Sequence, residues 1–146
     1  MRTHYVSDMT QILAAYCINV TDIERSIEFW DGIMGIPLQS RTEIDTAHEA
    51  VLQAPQGGSR LQLAQQLDQA GPIDMGTALW KLYVNTSDIR ALYDKAMAWG
   101  CESVMEPTHL DRWPVQMAYI KDPDGYLIEL IEYDEGPPPG VPDPKA

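Results

Sequence analysis

Lys121-Asp122-Pro123-Asp124-Gly125-Tyr126-Leu127-Ile128-Glu129-Leu130 runs a tight turn directly into an apolar strand that carries one carboxylate. Proline pre-sets its own φ, glycine supplies positive φ and aspartate accepts from nearby amides, so Asp-Pro-Asp-Gly is the chemistry of a chain reversal. Side chains alternate along the strand that follows, which sends Ile128 and Leu130 towards one layer and Leu127, Glu129 and Ile131 towards the other side. That second face is too apolar for a plain solvent face. A carboxylate there needs a reason.

Working outward, the same pattern occurs earlier in the chain. Asp22-Ile23 matches Asp88-Ile89, Gly35 matches Gly100, and Gly58-Ser59-Arg60-Leu61-Gln62-Leu63 matches Gly125-Tyr126-Leu127-Ile128-Glu129-Leu130, at offsets of 65 to 67 residues. Each unit reads as a strand, a helix and further strands. Ile12 to Val20 is the first strand, and a helix follows with Thr21 as its N-cap and Glu24 completing a capping box. Its stripe is Ile23, Ile27, Trp30, Ile33 and Met34, closed by Gly35. Ile36 to Ala64 is a mixed stretch with turn chemistry at residues 54–58. The second unit has a strand from Ala78 to Val84 and a helix opened at Ser87 or Asp88. Its stripe is Ile89, Leu92, Tyr93, Ala96 and Met97, with Gly100 at its end. Strands follow at Glu102 to Glu106, Val115 to Lys121 and Tyr126 to Tyr133. The fold class is α+β: two tandem βαβββ modules, residues 11–66 and 78–134, forming a curved mixed-sheet cup with helices on the outer face. A single domain of residues 1–134 is expected, with residues 135–146 a proline-rich disordered tail.

A tandem repeat of this kind implies a pseudo-twofold that turns equivalent strands towards a shared centre. Alternation places Leu13, Ala15 and Cys17 on the inner face of the first strand, and Leu79, Lys81 and Tyr83 on that of the fifth. Trp80, Leu82 and Val84 fall on the helix side. Four symmetry-related positions therefore point inward: Ala15, Gln62, Lys81 and Glu129.

The 146 residues carry a net charge of −12, with 45% hydrophobic and 22% charged residues. That balance is globular, argues against nucleic acid and favours cationic or neutral ligands over anions. No apolar run approaches the length of a membrane span, and Met1-Arg2-Thr3-His4-Tyr5 lacks a signal-peptide core, so a cytoplasmic setting is expected. Cys17 and Cys101 form no CxxC and are expected as reduced core cysteines.

Over nearly its whole length the chain resembles the vicinal oxygen chelate superfamily, which includes glyoxalase I, bleomycin-resistance proteins, extradiol dioxygenases and fosfomycin-resistance enzymes. The resemblance rests on Val20-Thr21-Asp22-Ile23-Glu24-Arg25-Ser26-Ile27-Glu28-Phe29-Trp30, on Ile33-Met34-Gly35-Ile36, on Gly76-Thr77-Ala78 and on the closing segment from Asp122 to Leu130. It implies paired βαβββ modules and a homodimer. It also implies metal ligands, one per module strand, at the positions matched here by Ala15, Gln62, Lys81 and Glu129.

This sequence departs from that pattern. Ala15 offers no donor atom, and an ammonium at Lys81 has no lone pair and repels a divalent cation. Gln62 and Glu129 alone are a poor transition-metal set. No cofactor is therefore expected, with a divalent metal the lesser alternative. His4 falls in the N-terminal arm, His48 in the middle of the first module and His109 in a loop, Pro107 to Pro114, none with ligand spacing.

Lys81 beside Glu129 has two physical uses. The pair either satisfies the fold after loss of a metal charge, or it is functional. In the functional case Glu129 is a general base or receives a ligand cation, and Lys81 is an acid, an oxyanion stabiliser or an anchor for a carbonyl. Gln62 would orient a polar group of the ligand. Tyr83 and Trp113 are candidate walls, Arg112-Trp113-Pro114 a candidate lid, and Ala15, Cys17 and His109 complete the set of candidate ligand-binding positions. Trp30 and Trp99 are assigned to the core, while Tyr16, Trp80 and Tyr119 stay open between core and cup. Two functions follow: binding of a small organic molecule, as in antibiotic or natural-product sequestration, or a lyase or isomerase acting through Glu129.

Overall fold

A computed structural model of the chain describes residues 11–135. All of the expected tail of residues 135–146 except Glu135, and the arm bearing His4, lie outside the described residues. Strand β1 (Ala15–Asn19) leads into helix α1 (Ile23–Ile27), which continues as a π-helical turn over Glu28–Ile33. Strands β2 (Leu38–Ile44), β3 (Ala47–Leu52) and β4 (Arg60–Gln66) complete the first unit. The second unit comprises β5 (Leu82–Asn85), α2 (Ile89–Trp99), β6 (Glu102–Leu110), β7 (Val115–Lys121) and β8 (Leu127–Tyr133).

The strands form two four-stranded mixed sheets, ordered β1-β4-β3-β2 and β5-β8-β7-β6. This is the α+β architecture of two βαβββ units. Among the described residues no helix is long and apolar enough to cross a membrane.

Register makes the internal repeat concrete. Gln62 lies between Cys17 on β1 and Val51 on β3, and Glu129 lies between Tyr83 on β5 and Tyr119 on β7. Both helices are anchored alike. Asp22 and Asp88 accept from the amides of Arg25 and Ala91 three residues on, at 3.2 and 3.0 Å. Gln65 and Glu132 accept from the amides of Ile23 and Ile89, each at 2.9 Å.

The first N-cap is therefore Asp22 rather than Thr21. Thr21 is diverted across the module seam, where its hydroxyl donates to Asp124 at 2.6 Å. The first helix also departs from the expected stripe, because the π turn brings both Phe29 and Trp30 into the interior, along with Ile23 and Ser26. In the second unit β6 runs through Leu110, where a loop from Pro107 was expected. Two register irregularities, between Ser103 and Met105 and between Met105 and Thr108, let the strand absorb its proline.

One core spans both modules. Ile18, Val20, Phe29, Trp30, Leu52 and Leu63 pack in the same cluster as Val84, Ile89, Ile120, Ile128 and Leu130. Trp99 bridges the helical layer, its ring 5.7 Å from that of Phe29 and its Nε1 donating to Glu28 at 3.1 Å. The opening turn is the other clasp. Beyond the Thr21 bond to Asp124, Tyr126 donates its hydroxyl to the Asn19 carbonyl at 2.6 Å.

Inside that turn Asp122 is 5% exposed, its Oδ1 accepting from the amides of Asp124 and Tyr126 while Oδ2 is buried without a partner. Gly125 takes φ +100°, open only to glycine at low cost. Burial pushes the Asp122 carboxyl up to about 6, against the downward pull of the two amide bonds. A carboxyl raised in the folded state contributes stability below its unfolded value of about 3.9, and that contribution is lost as pH rises through the folded value. Asp122→Asn keeps an Oδ1 acceptor and carries no charge. Urea unfolding should therefore show the variant gaining about 2–3 kcal/mol on the wild type between pH 4 and pH 7. A stability difference that stays constant with pH would contradict this account.

Candidate functional site

Lys81 precedes β5 by one residue, and Glu129 sits on the middle strand β8. Their side chains are 8% and 7% exposed, with Nζ 2.6 Å from Oε1 of Glu129. Tyr119, directly opposite Glu129 in the antiparallel register, joins them. Lys81 also donates to the phenol oxygen at 3.1 Å, and the phenol donates to the same Oε1 of Glu129. Both bonds fall on one carboxylate oxygen, so Oε2 has no donor among the described residues.

Burial by itself would lower the Lys81 pKa, but the hydrogen bonds to Glu129 and Tyr119 outweigh it and hold the ammonium above its ordinary value. Lys81 is therefore a fixed cation rather than an amine nucleophile. The Tyr119 phenol is pushed up by burial and by its bond to Glu129, so it stays protonated. Aromatic faces surround the ammonium: its Nζ is 3.9 Å from the ring centre of Trp80, 5.0 Å from that of Tyr83 and 5.3 Å from that of Tyr119.

On the equivalent face of the first sheet, Cys17, Gln62 and Val51 lie side by side. Glu49, two residues before Val51, shares that face, and Gln62 donates its amide nitrogen to the Glu49 carboxylate. Cys17 is exposed here rather than in the core. Partial burial, followed by the charge of Glu49, raises its thiol pKa. Cys101 is half-buried, and burial pushes its thiol up to about 11.

Several expected residues lie elsewhere. His109 aligns across β7 with Glu132, on the helix side of β8, and pairs with Asp134 at 3.1 Å, so it faces away from Glu129. Arg112 and Trp113 form the β6–β7 turn, the guanidinium 4.7 Å from the centre of the ring, and neither bonds to Lys81 or Glu129. Ala15 is half-buried on β1 with no polar side-chain atom to offer. Tyr83 is on the open face, 60% exposed. Trp80 was expected on the helix side but is 74% exposed and lies against the Lys81 ammonium, because the residues before β5 are unpaired and do not keep strand alternation. Tyr16 is exposed as well.

Two half-open clefts are present among the described residues, and neither is lined by Lys81 or Glu129. One of about 330 Å³ lies at the module seam beside Arg25, Trp99, Cys101 and Asp122, and one of about 310 Å³ lies beside Ile23, Arg41, His48, Glu49 and Gln65. The Lys81–Glu129 floor belongs to an open sheet surface.

A profile of the Glyoxalase/Bleomycin resistance protein/Dioxygenase superfamily matches residues 10–130, so the chain belongs to that superfamily. A probable lactoylglutathione lyase of Vibrio parahaemolyticus is 30% identical over 120 residues, covering 79% of this chain and 86% of that one. The fold is shared with Leishmania major glyoxalase I, at TM-score 0.73 and 20% identity over 86% of this chain and 88% of that one. It is shared equally with maize glyoxalase I, at TM-score 0.73 and 22% identity over 83% of this chain, which spans 44% of the maize protein.

The residues at the family's metal-ligand positions do not fit a metal. Ala15 has no donor atom, Lys81 is held protonated, and Lys81 and Tyr119 occupy Glu129 Oε1, so the four positions offer only the amide oxygen of Gln62 and Oε2 of Glu129 beside a fixed cation. Among the described residues no three His, Cys, Asp or Glu side chains converge on a common point.

Removing the cation alone should expose the cost of the buried carboxylate. Lys81→Met is expected to destabilise by about 3–5 kcal/mol, and Lys81→Met combined with Glu129→Leu to recover most of that loss. Denaturant unfolding of the two variants decides it. A double variant no better than Lys81→Met would show that the pair is not the source of the loss.

Proposed function

We propose that this chain is a metal-independent member of its superfamily that binds a small organic molecule against the open sheet face, sequestering an antibiotic or natural product. The observation that carries the reading is Lys81 at a ligand position, its ammonium 2.6 Å from the one carboxylate that remains there. Exposed aromatic surface at Tyr83 and Trp80 beside this neutral pair suits a flat organic ligand. Because each sheet is open, we further propose that a second copy of the chain supplies the opposing wall. The setting proposed is the cytoplasm.

A second reading is favoured by the free Oε2 of Glu129 and by the name of the Vibrio relative, a lactoylglutathione lyase. Here Glu129 would act as general base in a lyase or isomerase and Lys81 would hold a developing oxyanion. Binding is preferred, because proton abstraction next to a carbonyl needs strong enolate stabilisation and one already-paired lysine supplies little.

Elemental analysis of the purified protein should find well under one zinc, nickel, iron or manganese ion per chain, and about one tightly held ion would defeat the metal-independent reading. Glu129→Gln and Lys81→Met separate the two functions. On the binding reading both weaken ligand affinity and no substrate is turned over. Intact affinity with abolished turnover would establish the lyase reading instead. Sedimentation should give twice the 16.4 kDa chain mass, and a monomer would remove the opposing wall.

A further inference from the structure

The internal repeat exposes an imbalance between the two sheets. In the second, the buried carboxylate of Glu129 is compensated by Lys81. In the first, the residue equivalent to Lys81 is Ala15, and the carboxylate on the open face is Glu49, reached through Gln62. Glu49 is half-buried, and among the described residues no Lys or Arg lies within ion-pair distance of it. Arg41 lines a cleft with Glu49 but lies opposite Ala50 and pairs with Glu24, and on the sheet face itself the basic residue is Arg60, four positions along β4 from Ala64, which lies opposite Glu49. That spacing amounts to about 13 Å of strand.

The hydrogen bond between them fixes what the pair offers a ligand. Gln62 uses its amide nitrogen on Glu49 Oε2, so its amide oxygen is left to accept. Glu49 Oε1 likewise has no donor among the described residues. The site is thus a carboxylate and a carbonyl side by side, half-desolvated and without a Lys or Arg ion-pair partner among the described residues, with the second N–H of Gln62 the one amide donor left. Exposed Cys17, whose thiol pKa the Glu49 charge helps to raise, borders it.

We propose that Glu49 and Gln62 receive a cationic N–H group of the ligand, a protonated amine or an amidinium, which plays in the first sheet the part Lys81 plays in the second. The inference rests on the reading of the open face as an organic-ligand site and names the ligand class. A donor cation satisfies both acceptors and the charge together. A quaternary ammonium leaves the acceptors unpaired, and an anion is repelled.

The test uses three planar probes of one size: benzamidine, benzamide and benzoate, titrated calorimetrically into the full chain at low salt. Benzamidine should bind at least tenfold more tightly than benzamide, and benzoate least. Glu49→Gln, with folding verified by circular dichroism, should bring benzamidine down to the level of benzamide. Equal binding of benzamidine and benzamide by the wild type overturns the proposal while leaving the organic-ligand reading standing, and needs no variant. So does a preference that survives Glu49→Gln. Failure of all three probes to bind overturns both.

Discussion

A carboxylate set among apolar side chains on a β-sheet must be compensated or neutralised, and the Lys81–Glu129 pair meets that demand for the second module. Its consequences reach across the open face. The ammonium is drawn against the sheet, Tyr119 is recruited as a bridge to the same oxygen, and Trp80 and Tyr83 close around the charge. A cation held this firmly acts as a fixed charge. It cannot serve as a metal ligand, and the bonds that hold it protonated keep it from acting as an amine nucleophile. Chemistry on this surface is confined to what the second oxygen of Glu129 and the neighbouring sheet offer.

How much of this was legible in the sequence depends on how tightly each strand's register is set by local turn chemistry. The turn from Asp122 to Gly125 joins β7 and β8 closely, so Lys121 opposite Leu127 implies Tyr119 opposite Glu129 by counting alone. Tyr119 was within reach of that count. Glu49 was not, because residues 53–59 between β3 and β4 form a long connection that leaves the pairing of Glu49 with Ala64 undetermined. The alternation that put Lys81 and Glu129 on one face holds through β8 and from Lys81 into β5, but not at Trp80, whose ring lies against the same ammonium. His109 escaped for a different reason. Pro107 reads as a loop residue, and only the irregular pairing of β6 admits it to a strand.

Membership of a family and possession of its chemistry are written on opposite faces of the same strands. Ile128 and Leu130 are fully buried against the helices, and Leu52, Leu63 and Ile120 join them in the shared core. Changing any of these would open a cavity, so the pattern that identifies the superfamily is under packing constraint. Ala15, Gln62 and Tyr83 lie on the open side, where a substitution meets a neighbouring side chain or water and leaves the core intact. One residue's shift along a strand separates the two regimes. The recognisable fold therefore carries no guarantee of the metal. Even the retained Glu129 changes its meaning with its partner: beside a histidine it is half of a ligand set, and beside Lys81 it is half of an ion pair whose charge is already spent.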